Sequence, residues 1–204
     1  MAPKKEVAII FYSLYHHIYQ LALAEKAGVE AAGGIAKLFQ VPETLNSNIL
    51  KAVKAPPKPD VEIVTNDTLL NYNAFLFGIP TRYGTFPAQW KSFIDGTGGL
   101  WAQGKLRNKY AGLFVSTGTP GGGQEVTALN AISTLAHHGI TYVPLGYASE
   151  KQATFDEVHG GSPWGAGTFA AADGSRQVSD LEKEIAKLQG FNFYKTVFDN
   201  ELTK

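Results

Sequence analysis

The chain has 204 residues, and its 18 Lys and Arg balance 18 Asp and Glu, so the formal net charge is zero. Aromatic residues make up 12% of the chain, a share that excludes an intrinsically disordered protein. A zero net charge also argues against a strong electrostatic hold on nucleic acid or on an anionic membrane. Without cysteine, the chain has neither a disulfide scaffold nor a thiol nucleophile.

The length predicts a single domain, spanning residues 1–204, that buries roughly 70% of the surface of its unfolded chain. No apolar run approaches the ~20 residues of a membrane-spanning helix. The apolar run at residues 7–11 is also too short for the core of a signal peptide. We therefore expect a soluble, cytoplasmic protein without an integral membrane segment.

Five short apolar segments bounded by turn residues are typical of buried parallel strands. In chain order they are residues 7–12, 35–41, 74–79, 110–116 and 140–145. Helical patterns lie between and after them, at about 17–32, 87–95, 125–138 and 178–199, the last with Ser179 as its N-cap. This alternation predicts an α/β fold with a doubly wound, five-stranded parallel sheet.

Two segments exceed what this minimal fold needs. Residues 42–60 contain a short predicted helix, at about 48–53, followed by the proline-rich tether 55–59. Residues 150–176 are longer than a structureless loop in a compact domain should be. We interpret this second segment as a long arm before the C-terminal helix.

Three polar loops follow predicted strands one, three and four, at residues 13–18, 80–87 and 116–124. Ligands of doubly wound sheets bind beyond the carboxyl ends of the strands. The first loop offers a hydroxyl and then the free N–H groups of a helix start, which together bind phosphate without a lysine. Adjacent histidine pairs point to different faces, so we expect no metal site.

Several segments together resemble the WrbA family. They are residues 13–18 (SLYHHI), 79–84 (IPTRYG), 97–102 (TGGLWA), 116–124 (STGTPGGGQ) and 134–139 (TLAHHG). Residues 86–91 (FPAQWK) and 156–165 (DEVHGGSPWG) are similar to the fungal benzoquinone-reductase branch. The resemblance implies a flavodoxin-like sheet of order 2-1-3-4-5, FMN as cofactor, NADH or NADPH as electron donor, a small quinone as substrate and a homo-oligomer, dimer or tetramer.

The resemblance also assigns residues by position. For the FMN phosphate it implies Ser13, Leu14, Tyr15, His16, His17 and Ile18. For the isoalloxazine and ribityl groups it implies Pro80, Thr81, Arg82, Tyr83, Ser116, Thr117, Gly118, Thr119, Pro120 and Gly121. His137 would line the flavin pocket and act in catalysis with Trp101, while Tyr15 and Trp101 would bind substrate. The sequence places Trp101 in a loop after two glycines.

His16 is among the departures from the family pattern, because the family usually has glycine at this position. The His16 side chain must either point away from the phosphate or join it as a donor.

The hypothesis we favour is FMN-dependent, two-electron reduction of quinones to hydroquinones. A flavodoxin-type one-electron carrier is an alternative, although such carriers are typically strongly acidic. The other alternative is a non-enzymatic, oligomeric regulatory protein in which His16 has weakened FMN binding.

Overall fold

The computed structural model describes residues 5–199, which contain seven strands and seven α-helices. The strands are β1 (Glu6–Phe11), β2 (Ile35–Gln40), β3 (Glu62–Ile63), β4 (Ala74–Pro80), β5 (Tyr110–Thr117), β6 (Thr141–Tyr142) and β7 (Gly167–Phe169). The helices are α1 (His17–Ala31), α2 (Ser47–Ala52), α3 (Asn66–Asn71), α4 (Ala88–Asp95), α5 (Gly98–Ala102), α6 (Gln124–His138) and α7 (Asp180–Tyr194). A 3₁₀ turn (Glu150–Ala153) precedes β7, and a π-helical turn (Lys195–Asp199) follows α7.

The strands form one parallel sheet in the order β3-β2-β1-β4-β5-β6, and β7 pairs with β5 outside this path. The five predicted strands are β2, β1, β4, β5 and β6 in spatial order, so the predicted order 2-1-3-4-5 is confirmed. The sequence did not predict β3, an exposed two-residue strand beside β2. The flavodoxin-like, doubly wound architecture thus gains one edge strand.

Helices cover both faces of the sheet because the residues of the central strands alternate between two apolar cores. In β1, Val7 and Ile9 pack into the core formed with α1 and α7, whereas Ala8 and Ile10 pack into the core formed with α4, α5 and α6. All seven residues of β4 are buried. Burial on both faces explains why the central strands are apolar throughout.

The outer edge of β5 is divided between two short strands. Of the predicted strand 140–145, only β6 forms, and it pairs with the first two residues of β5. The carboxyl half of β5 pairs instead with β7, where Val115 lies opposite Gly167 and Thr117 opposite Phe169. The segment 150–176, predicted as an arm, therefore folds back onto the sheet and supplies a strand to it.

The buried carboxylate of Glu182 fixes this returning segment to the start of α7. Glu182 accepts hydrogen bonds from the Gly160 N–H at 2.8 Å and from the Thr168 hydroxyl at 2.7 Å, and it pairs with Arg176 at 3.0 Å. It also forms a capping box with Ser179, which confirms the predicted N-cap. One glutamate thus caps α7 and holds β7 against it.

Two helices differ from the sequence-based expectation. The sequence did not predict α3, and Trp101 lies in the short helix α5 rather than in a loop. Helix α5 directly follows α4 and is separated from it by only Gly96 and Thr97. Within residues 5–199, no helix has both the length and the apolar character needed to cross a bilayer.

Candidate functional site

A cavity of about 610 Å³ opens at the carboxyl edge of the sheet, around the ends of β1, β4 and β5. The strand order reverses between β1 and β4, and doubly wound sheets bind ligands at this switch point. The predicted site residues that line the cavity are Ser13, Leu14, Tyr15, His17, Ile18, Pro80, Thr81, Arg82, Ser116, Thr117 and Gly118. The structure therefore brings the three predicted loops together.

The loop between β1 and α1, which we call the phosphate loop (residues 13–18), presents polar groups to the cavity. Ser13 is buried, and its Oγ accepts a hydrogen bond from the Tyr19 N–H at 3.3 Å, which does not use the hydroxyl hydrogen. The first N–H groups of α1 have no partner inside the helix, as at any helix start, and the helix dipole favours an anion there. The buried His17 ring is held by its Nε2, 2.7 Å from the Arg176 carbonyl oxygen.

His16 is the N-cap of α1 and has a left-handed backbone, with φ of 68°. Its Nε2 lies 2.9 Å from the carbonyl oxygen of Pro57, and the residue does not line the cavity. The His16 ring therefore points away from the cavity, which is one of the two orientations that the sequence allows. In this conformation the imidazole bonds to Pro57 and does not enter the cavity.

The segment at residues 53–58, which we call the strap, packs against the phosphate loop. The Tyr15 hydroxyl donates to the Val53 carbonyl at 2.8 Å, and Lys58 Nζ donates to the Ser13 carbonyl at 3.0 Å. Val53 and Lys54 also line the cavity, which the sequence analysis did not anticipate. The signal that could have found the strap is the proline-rich tether, since it begins two residues after Val53.

Glu43 anchors the strap through an ion pair with Lys58, at 2.8 Å. Burial alone would raise the pKa of Glu43, but hydrogen bonds from Lys58, the Leu45 N–H, Tyr12 and Gln89 outweigh it and lower the pKa to about 2. The Tyr12 hydroxyl lies 2.9 Å from Glu43, and burial together with this contact raises the pKa of Tyr12. Glu43 therefore remains ionised at neutral pH and keeps Lys58 in place.

The loop after β4 contributes Thr81 and Arg82 to the cavity but turns Tyr83 away from it. Tyr83 and Gly84 have positive φ values of 53° and 75°, and Arg82 and Thr85 exchange two backbone hydrogen bonds. This is the geometry of a two-residue hairpin turn, in which the central side chains project outward. Tyr83 is consequently fully exposed and does not line the cavity, although the resemblance implied a role for it in FMN binding.

The loop after β5 is divided in the same way. Its first three predicted residues line the cavity, whereas the next three are exposed and do not line it: Thr119, Pro120 and Gly121. The Thr117 hydroxyl donates to the Thr119 carbonyl at 2.8 Å, and the Gly122 N–H donates to the same oxygen at 2.9 Å. This tight turn carries the chain outward to the start of α6.

The loop after β7, residues 170–174, forms a wall of the cavity that the sequence analysis missed. Ala171 has a left-handed backbone, with φ of 64°. Asp173 Oδ1 accepts from the Ser175 hydroxyl at 2.7 Å and from its N–H at 3.1 Å, and these bonds lower the pKa of Asp173. The Asp-Gly-Ser sequence was the available signal, because it predicts a turn.

Trp101 and His137 do not line the cavity within one chain. Helix α6 begins beside it, where Gln124 donates to the Thr117 hydroxyl at 3.3 Å. His137 lies thirteen residues further along α6, a distance of about 20 Å at the rise of an α-helix. Both side chains are exposed, Trp101 to 58%. The two predicted catalytic residues therefore lie outside the lining of the cavity formed by the predicted cofactor loops.

The residues of the cavity fit a phosphate-bearing aromatic cofactor such as FMN. The volume is within the roughly 300–1,000 Å³ typical of small-molecule sites. Hydroxyls, helix N–H groups and the cations Lys54 and Arg82 surround it, with Asp173 as the carboxylate on its lining. In the part of the chain that the structure describes, no group of three or more His, Asp or Glu is arranged to hold a metal ion.

The chain is similar to proteins named as quinone oxidoreductases and to a flavodoxin structure. The chain is 68% identical over 194 residues to NAD(P)H quinone oxidoreductase PST2 of Candida albicans, covering 95% of this chain and 96% of that relative. It is 61% identical over 193 residues to Protoplast secreted protein 2 of Saccharomyces cerevisiae, covering 94% and 97%. A WrbA-like flavodoxin structure from Agrobacterium tumefaciens matches the fold with a TM-score of 0.66, at 20% identity over 94% of this chain and 96% of that one.

The family model described as NADPH-dependent FMN reductase matches residues 6–154. This range includes the phosphate loop, the strap and the loops after β4 and β5, but it ends before β7. Since the match covers well over half of the sequence, the chain belongs to the NADPH-dependent FMN reductase family.

Proposed function

We propose that this protein is an FMN-dependent NAD(P)H:quinone oxidoreductase that reduces quinones to hydroquinones by two electrons. The family and the names of several relatives support the reaction. The observation that carries the proposal is the cavity at the switch point, which combines a helix N-terminus with the hydroxyls of Ser13 and Ser116.

In this proposal the cofactor is held by the three converging loops. Ser13 and the first N–H groups of α1 bind the phosphate, and the residues at the ends of β4 and β5 bind the ring and the ribityl chain. When bound, FMN would supply the hydride chemistry that couples oxidation of NADH or NADPH to reduction of the quinone. Arg82 contributes positive charge at the cavity, which favours ligands that carry or acquire negative charge.

The substrate end of the site is incomplete in one chain. Tyr15 lines the cavity and is 44% exposed, so its ring offers an apolar face to a nicotinamide or a quinone. Neither Trp101 nor His137 lines the cavity of its own chain. We propose that a second copy supplies them, which makes the active enzyme a homo-oligomer.

The decisive experiment compares FMN with riboflavin. The purified protein is stripped of flavin, titrated with each ligand by calorimetry, and assayed for NAD(P)H oxidation with 1,4-benzoquinone. We expect FMN to bind at least about tenfold more tightly than riboflavin, because the phosphate loop adds charge-assisted hydrogen bonds. We also expect one hydroquinone formed for each NAD(P)H consumed.

Other outcomes identify the alternatives. Equal affinities for FMN and riboflavin would contradict the role of the phosphate loop. Electron transfer to protein acceptors without hydroquinone formation would favour a one-electron carrier. Failure to bind either flavin, together with absence of turnover, would favour a non-enzymatic regulatory protein.

A further inference from the structure

Lys54 occupies a backbone position that favours glycine. Helix α2 ends in a Schellman motif, in which the Ala55 N–H donates to the Leu50 carbonyl at 2.9 Å and the Lys54 N–H donates to the Lys51 carbonyl at 3.0 Å. Lys54 is the left-handed residue of this motif, with φ of 52°. A side chain destabilises this conformation relative to glycine, and such strained positions occur preferentially at ligand sites.

The strap holds Lys54 at the cavity. The residue before it, Val53, accepts a hydrogen bond from Tyr15, and Pro57 accepts one from His16. The backbone on both sides of Lys54 is thus fixed to the phosphate loop, and Lys54 itself lines the cavity. Its position is determined by contacts that do not involve its own side chain.

The two lysines of the strap differ in how their charges are compensated. Lys58 is neutralised by Glu43 at 2.8 Å. Among the ion pairs formed by residues 5–199, none includes Lys54. A second cation, Arg82, also lines the cavity, whereas the carboxylate on the lining, Asp173, already accepts two hydrogen bonds from Ser175. The cavity therefore has an excess of positive charge beyond the helix N-terminus.

We propose that Lys54 binds a phosphate group of the incoming reduced dinucleotide and thereby contributes to the choice of electron donor. This inference rests on the proposed function, in which the helix N-terminus and Ser13 already bind the cofactor phosphate. NADH brings a pyrophosphate to the site, and NADPH brings a 2′-phosphate as well. An ammonium pairs with either group as a point charge.

The first test measures the KM for NADPH and for NADH on the FMN-loaded protein. We expect Lys54→Gln to raise the KM by about tenfold or more, as loss of one charge-assisted contact does. Lys54→Arg should restore most of the affinity, because it retains the charge. Lys51→Gln is the matched control, since it removes an exposed lysine three residues away that does not line the cavity. A rise for NADPH alone identifies the 2′-phosphate, and a rise for both donors identifies the pyrophosphate.

The second test does not depend on turnover. Calorimetry on the FMN-loaded protein uses 2′,5′-ADP as the probe for the 2′-phosphate and ADP-ribose as the probe for the pyrophosphate. Lys54→Gly should bind one of the two probes about tenfold or more weakly, yet unfold at the same or a higher temperature, because glycine relieves the left-handed strain. If Lys54 had only a structural role, its replacement would not weaken probe binding while leaving the unfolding temperature unchanged or higher.

Two results would overturn the inference. In one, Lys54→Gln binds both probes and both donors as the wild type does. In the other, the variant loses affinity for FMN, which would assign Lys54 to the cofactor. If the wild type oxidises NAD(P)H while the variants are unchanged, the inference fails and the proposed function stands. If the wild type shows no turnover but binds a probe through Lys54, the proposed function fails and the phosphate contact stands.

Discussion

His16 stabilises a strained start of α1 by bonding to the strap instead of to a ligand. Its left-handed φ disfavours a side chain, while the hydrogen bond from its ring to Pro57 compensates part of that cost. The left-handed conformation costs about 1–3 kcal/mol, and the hydrogen bond contributes about 1 kcal/mol. A histidine can therefore replace glycine here without obstructing the cavity.

We predict that His16→Gly changes the Kd for FMN by less than about threefold and the free energy of unfolding by less than about 1 kcal/mol. The matched variant Ser13→Ala should weaken FMN binding by about tenfold, because it removes a hydroxyl that lines the cavity. Flavin fluorescence titration measures both affinities. A tenfold loss in His16→Gly would show that the imidazole contacts the cofactor.

Among single residues, those at the ends of strands could be predicted from the sequence. Ser13, Thr81 and Ser116 were predictable because each lies at or just beyond the carboxyl end of a buried strand, at the same edge of the sheet. Lys54 and Ala171 were not, because their left-handed conformations occur at residue types that give no sign of them. The outward direction of Tyr83 could not be predicted for the same reason. Arg82 lines the cavity and Tyr83 does not, and this difference depends on the backbone conformation of the turn.

Among the elements, α3 depends on a lysine from another part of the chain. Lys109 is buried at the start of β5, and its Nζ donates to the carbonyls of Leu69, Leu70 and Tyr72 at 2.6, 2.9 and 2.6 Å. These carbonyls lie at the end of a six-residue helix that could not be stable alone. The sequence did not predict α3 because its stability comes from this distant residue.

We predict that Lys109→Met lowers the free energy of unfolding by about 2–3 kcal/mol, because buried carbonyls lose a charged donor. The control is Lys105→Met, which changes an exposed lysine in the same connection and should have an effect within about 0.5 kcal/mol. Urea unfolding measures both. Equal stabilities of the two variants would contradict the helix-capping role of Lys109.

The pair of helices α1 and α7 encloses a carboxyl group without a partner. Glu25 is fully buried, and neither of its carboxyl oxygens has a hydrogen-bond partner in the described part of the chain. The helices can approach closely because Gly28 of α1 and Gly190 of α7 have no side chain. A Cβ at either position would clash with the backbone of the other helix. Burial raises the pKa of Glu25 well above its ordinary value.

Because the folded-state pKa of Glu25 is raised, the folded protein holds a proton that the unfolded chain releases above about pH 4. The free energy of unfolding therefore falls as pH rises from there towards the folded-state pKa, by at most about 1.4 kcal/mol per pH unit. Glu25→Gln removes this titration, so we expect it to exceed the wild type in stability at pH 8 and to lose that advantage towards pH 5. Urea unfolding of both proteins at pH 5 and pH 8 checks this prediction. A difference in stability between Glu25→Gln and the wild type that did not change with pH would contradict it.

For the whole molecule, we predict that both substrates use one site in turn. The three loops of the cavity surround one ligand-binding volume, and each electron transfer requires the reacting rings in direct contact. Initial-rate measurements should then give parallel lines when NADPH and quinone are varied, with competitive inhibition by each substrate in excess. Intersecting lines would require both substrates to be bound together and would contradict the shared site.

Because the edge of β5 is shared between β6 and the much later strand β7, the cavity can be completed only late in translation. The phosphate loop leaves the ribosome early, whereas β7 and residues 170–174 follow β5 by about fifty residues of chain. Until they are synthesised, the carboxyl half of β5 keeps an unpaired edge. A nascent chain that ends before Gly167 contains strands β1 through β6 but lacks the cavity wall at residues 170–174. We therefore expect the chain to retain its cofactor only after these residues have been synthesised.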